Sequence, residues 1–230
     1  MGSSRVAHVT YGVAARTGKA LTRIGAMLAL LSAPLMAEEV TVLALGDSLT
    51  QGFGLPLEDG LVPQLQRWLD SQGVAATLIN AGVSGDTTAG GAARVGWSLT
   101  PEVDAMIVTL GGNDMLRGLD PVQARSNIET ILQVAEAQEV DVLLVGMQAP
   151  GNYGPEYKEA FDSLYPDLAQ AYETLFFESF FSGLGSDDPA ELQQFFQPDG
   201  IHPNAEGVSK IVTALGPAVR ALVEESGSSD

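Results

Sequence analysis

Four short apolar runs alternate with longer stretches of helical spacing, and this alternation constrains the fold more than any other feature of the chain. The runs are Val40–Leu45, Ala75–Ile79, Ala105–Leu110 and Asp141–Val145, each ending at a turn that contains Gly or Asn. They lack the polar alternation of a sheet with one wet face, so they read as parallel strands buried on both sides. Between them, Gly60–Ser71, Thr87–Trp97, Pro121–Gln138 and Pro155–Tyr172 have helical spacing, with Asp120 placed to cap and Pro121 suited to a first turn. A last helix is expected over Asn204–Val223. Such alternation predicts a single α/β domain, a doubly wound parallel sheet with helices on both faces. A hydrophobic fraction of 45% in 230 residues suffices for one core. The domain is expected to span residues 38–223, with residues 224–230 a flexible tail.

Residues 1–37 have a different pattern. Arg5, Arg16, Lys19 and Arg23 all precede the first acidic residue, Glu38, and are followed by the apolar run Ile24–Leu35. Small Ala37 offers a cleavage point. This is the layout of a secretory signal peptide, and the run is shorter than the ~20 apolar residues that span a bilayer. The protein is therefore expected to be exported, periplasmic or secreted, with no stable membrane insertion once the leader is removed. Without a cysteine there is no lipoprotein anchor, no disulfide and no thiolate metal site. Beyond the leader, 7 basic residues face 29 acidic ones, a formal net charge of −22 that repels nucleic acid and anionic lipid. His8 lies in the leader, which leaves His202 alone and rules out a multi-imidazole zinc site within one chain. No metal and no cofactor is expected.

In doubly wound sheets ligands sit beyond the carboxyl ends of the strands. Those positions hold Gly46-Asp47-Ser48-Leu49, Asn80–Asp86 and Gly111-Gly112-Asn113-Asp114, and a fourth cluster, Asp199–Asn204, precedes the last helix. A serine hydroxyl becomes a competent nucleophile when a base takes its proton during attack, and His202 is the available base. Asp199, three residues earlier, can reach the ring N–H within one turn and hold the tautomer. Acyl transfer also needs fixed donors for the negative oxygen that develops. The N–H of Ser48, the N–H of Gly85 and the side-chain amide of Asn113 are candidates. Asp47, Asp86 and Asp114 are assigned to holding loops rather than to proton transfer. Trp68, Trp97 and the pairs Phe176-Phe177 and Phe195-Phe196 are assigned to the core, and Met115 and Tyr153 are candidate pocket walls.

At these residues the chain resembles the SGNH (GDSL) hydrolase superfamily, named for its Ser, Gly, Asn and His. Four blocks correspond in order: Gly46-Asp47-Ser48-Leu49, Ser84-Gly85-Asp86-Thr87, Gly111-Gly112-Asn113-Asp114 and Asp199-Gly200-Ile201-His202-Pro203. The resemblance implies Ser48 as nucleophile, Gly85 and Asn113 as oxyanion donors, and Asp199 with His202 as the proton-transfer pair. Gly82 is a rival for Gly85, but the Ser-Gly-Asp-Thr context favours Gly85. It also implies a three-layer, flavodoxin-like sheet. Leu110–Gly118, Asn152-Tyr153-Gly154 and Tyr157–Leu168 narrow the similarity to the periplasmic acyl-CoA thioesterase/lysophospholipase/arylesterase group. In that group, loops matching Asp114–Gly118 and Gln148–Gly154 border an acyl groove, which implies substrate contacts for Asp114, Met115, Asn152 and Tyr153. The expected function is hydrolysis of short to medium acyl esters or thioesters by a monomer. Two rivals remain at this point: a carbohydrate O-deacetylase on the same scaffold, and a non-catalytic nucleotide- or flavin-binding module. Against the second, no GxGxxG follows the first strand.

Overall fold

A computed structural model describes residues 39–185 and 189–228; the expected leader, 1–37, lies outside them. Five strands form one parallel sheet: β1 (Val40–Gly46), β2 (Ala76–Gly82), β3 (Ala105–Thr109), β4 (Asp141–Val145) and β5 (Leu175–Phe177). Their spatial order is β2-β1-β3-β4-β5, and all four pairings are parallel. This is the expected flavodoxin-like arrangement, and its topological switch falls between β1 and β3.

β1, β3 and β4 lie inside the sheet and are nearly continuous apolar runs, with every residue of β3 buried. Helices cover both faces, as parallel strands require. On one face α2 (Leu61–Ser71) packs against α8 (Ala205–Ser226); on the other, α5 (Pro121–Ala137) lies between α3 (Thr88–Ser98) and α6 (Pro155–Ala171). Asp120 caps α5 by accepting from Val122 N–H, and Asn204 caps α8 by accepting from Gly207 N–H.

Four expectations are corrected. β2 is an edge strand rather than a strand buried on both sides, so Thr77, Ile79 and Asn80 are less covered than the central strands. β5 was absent from the sequence reading; Phe176 and Phe177 belong to it and are only partly buried at the opposite edge. The tail does not begin at Glu224, because α8 continues to Ser226, where a turn follows. Trp97, assigned to the core, is 73% exposed on α3. Among the described residues no helix is long and apolar enough to cross a membrane.

Candidate active site

β1 ends at Gly46, and α1 (Ser48–Gln51) starts two residues later. A Cβ at Gly46 would collide with the Thr50 side chain and the carbonyl of Thr109, so glycine is what allows α1 to sit directly on the strand ends. Asp47 caps α1: its Oδ1 accepts from Leu49 N–H at 2.9 Å. Its Oδ2 accepts from Asn113 Nδ2 at 3.1 Å, which joins the ends of β1 and β3 across the switch point. Asp47 is 1% exposed, and burial pushes its carboxyl up to about 6 against the opposing pull of those two hydrogen bonds and of His202. Ser48 follows at 9% exposure, at the first position of α1, where a backbone N–H has no intrahelical acceptor.

Asp199 and His202 lie in the loop before α8. Asp199 Oδ1 accepts from the N–H groups of Ile201 (2.9 Å) and His202 (3.0 Å), and Oδ2 meets His202 Nδ1 at 2.7 Å. The His202 backbone bond, then the bonds from its ring and from Ile201, hold the Asp199 carboxyl down at about 2. His202 Nε2 lies 2.8 Å from Ser48 Oγ. With a carboxylate at Nδ1, the proton belongs on that nitrogen, and Nε2 faces the hydroxyl as an acceptor. Gln197 closes the loop: its N–H donates to the His202 carbonyl (2.7 Å), and its side-chain amide donates to the carbonyls of Phe53 (2.8 Å) and Pro203 (3.1 Å). The Phe53 ring lies against the imidazole, with centroids 4.6 Å apart.

Asn113 belongs to α4 (Gly112–Leu116), entered through Gly111 at φ 114°. A side chain at Gly111 would strike the hydroxyl of Tyr165, which donates to Leu110 O from beneath the turn. Gly85 sits in the turn that Asp86 N–H closes onto Val83 O, and Arg117 reaches it from the end of α4. Behind these turns, buried Arg94 donates to Asp86 (2.7 Å), to Ala81 O (2.8 Å) and to Gly46 O (2.8 Å), which anchors the ends of β1 and β2.

A cavity of about 370 Å³ opens beside Ser48, Asn113 and His202, with Met115, Leu116, Met147, Phe181, Phe196 and Ile201 as its apolar wall. Met115 and Phe181 also line a neighbouring cavity that Gln148, Pro150 and Lys158 border. Three expected substrate contacts lie elsewhere. Asp114 is buried and accepts from the N–H and hydroxyl of Thr88, so it holds the start of α3 and is turned away from the cavity. Tyr153 is outside the wall, its hydroxyl donating to Leu116 O at 3.3 Å, and Asn152 is an exposed residue of the turn Gly151–Tyr153. Phe196, assigned to the core, packs against it partly buried and also lines the cavity. Sequence reasoning missed Phe53, Arg117, Met147, Phe181 and Gln197. For Arg117 a signal existed, since it lies four residues after Asn113 on a helical turn. Among the described residues no acidic or imidazole cluster could hold a metal ion.

The pattern of the "GDSL-like Lipase/Acylhydrolase family" matches residues 44–209. Esterase TesA of Pseudomonas aeruginosa is 38% identical over 197 residues, covering 85% of this chain and 96% of that protein. Thioesterase 1/protease 1/lysophospholipase L1 of Escherichia coli K12 is 34% identical over 184 residues, covering 80% of this chain and 85% of that one. Among solved structures, AlinE4, described as an SGNH-hydrolase family esterase, aligns with a TM-score of 0.66 at 40% identity, covering 79% of this chain and 95% of the other.

Proposed function

The chain belongs to the GDSL-like lipase/acylhydrolase family, and from that premise we propose that it cleaves carboxylic esters and thioesters by two-step acyl transfer with Ser48 as nucleophile. The observation that carries this reading is the relay Asp199–His202–Ser48, with contacts of 2.7 and 2.8 Å beside an apolar cavity. His202 Nε2 takes the Ser48 proton as Oγ attacks the carbonyl carbon. The imidazolium, stabilised by Asp199, returns that proton to the leaving alkoxide or thiolate. An acyl-Ser48 remains; water then gives a proton to His202, attacks the acyl carbon, and the carboxylic acid departs as Ser48 regains its proton. The N–H groups of Ser48 and Gly85 and the Asn113 amide hold the negative oxygen of each tetrahedral intermediate.

The seven apolar side chains that line the cavity, Leu49 among them, favour the acyl chain as the part bound there. A volume of about 370 Å³ is at the small end of ligand pockets, which supports short to medium acyl and aryl esters, with lysophospholipids as larger candidates. The order of charges before residue 38 supports a cleaved leader at 1–37 and an exported enzyme.

A p-nitrophenyl ester chain-length series on the protein and on Ser48→Ala tests the reading. The substitution is expected to lower kcat by about 10⁴- to 10⁶-fold. Equal turnover by the two proteins overturns it.

A further inference from the structure

The two orientations of an asparagine amide are nearly the same shape, so packing alone does not decide which end faces a substrate. For an oxyanion donor the choice decides everything, because the reversed amide would present an oxygen to a developing negative charge. Charge can make the choice where shape cannot. Asn113 Nδ2 donates to the buried carboxyl of Asp47 at 3.1 Å, and Arg117 Nη2 approaches Asn113 Oδ1 at 3.4 Å. Reversal would set Oδ1 against the Asp47 carboxylate and the amide hydrogens against a guanidinium, two repulsions in place of two attractions.

The same Arg117 nitrogen donates to Gly85 O at 2.9 Å. One cation thus spans the turn after β2 and the helical turn after β3, which carry two of the three proposed donors. Arg117 lies at the end of α4, one turn beyond Asn113, so both side chains leave the same face of the helix.

We propose that Arg117 is a positioning residue which, together with Asp47, fixes the polarity of the Asn113 amide so that N–H and not C=O faces the substrate oxygen. This rests on the reading of Asn113 as an oxyanion donor. Because the effect is confined to the intermediate, Arg117 governs kcat and leaves ground-state binding of the acyl chain nearly alone. A solvated surface arginine would affect neither.

The test is a cycle of Arg117→Met, Asn113→Ala and the double variant, with kcat and KM measured on p-nitrophenyl butyrate. Arg117→Met is expected to lower kcat by about 10-fold or more with KM within about twofold, since a misaimed group loses rate steeply. On the Asn113→Ala background the same change should cost less than about threefold, because the amide it positions is gone. Arg117→Lys, which keeps a cation near both acceptors, should recover part of the lost rate. An equal loss on both backgrounds, or no loss on the native one, overturns the proposal. If Asn113→Ala alone leaves kcat unchanged, the oxyanion reading itself fails and takes this one with it, a result distinct from the other two.

Discussion

Ser48 is placed by bonds that reach across the sheet, whereas His202 is placed by bonds within one short loop. On the Ser48 side, Asp47 ties the end of β1 to Asn113 beyond β3, and Arg94 ties β1 and β2 to the turn that carries Asp86. Asp47 and Arg94 are buried, and their bonds to Asn113 and to Gly46 span 66 and 48 residues. On the His202 side, Asp199 has a side chain 38% exposed, and its partners are Ile201 and His202, two and three residues away. Gln197 links that loop to Phe53 from the same few residues. One half of the site is part of the core's own construction; the other is a small self-contained clip set against it. Damage to the Arg94 bonds of the first should therefore appear as lost stability, and damage to the Asp199 bonds of the second as lost chemistry.

Between those two sets of bonds, the larger expected effect is in the clip. Asp199→Asn keeps an oxygen able to accept from the Ile201 and His202 N–H groups but cannot hold the imidazole tautomer, so kcat should fall about 10⁴-fold. The urea midpoint should scarcely move. A large fall in that midpoint would mean that the loop is integral to the fold and that the contrast is false. Next is Arg94→Met, which leaves the Asp86 carboxylate buried without its cation and two strand-end carbonyls without a donor. A loss of about 3–5 kcal/mol in urea unfolding is expected, since a broken buried pair strands a charge. Specific activity of the folded fraction should change far less.

The third effect concerns pH. The Asp47 carboxyl is raised from 3.8 to about 6, so between those values the folded state holds a proton that the unfolded state has released. Its contribution to stability is thus greatest below pH 4 and falls as pH rises to about 6, then levels off. Relative to Asp47→Asn, the protein should lose roughly 2 kcal/mol between pH 4 and pH 7. Asp199, lowered to about 2, has the opposite sign: its contribution is full above pH 4 and is lost only as pH falls toward 2. A flat difference between the Asp47 pair of proteins would show that the bonds from Leu49 and Asn113 offset the cost of burial.

The interior of the sheet was legible because β1, β3 and β4 are covered on both faces, and that leaves an apolar run in the sequence. At the edges the signal thins. β2 mixes exposed and covered positions, and β5 has three residues, too few for any period to register. Ser48, Asn113, Asp199 and His202 could be read from short blocks because strand ends and helix starts bring such turns to one edge. Asp114 could not. Successive residues on a helix point about 100° apart, so of three neighbours Asn113 meets Asp47, Asp114 turns inward to Thr88 and Met115 lines the cavity. Phe181, four residues after β5, and Phe196, in the stretch before α8, meet in the wall although they are separated in sequence, which no local pattern describes.

Ser48 and His202 are 154 residues apart, and the imidazole sits directly before the final helix. All five strands end by Phe177, yet the imidazole and the helix that covers one face of the sheet come only after residue 201. A chain that stops before residue 202 therefore lacks both the imidazole that faces Ser48 and the helix that buries one face of the sheet.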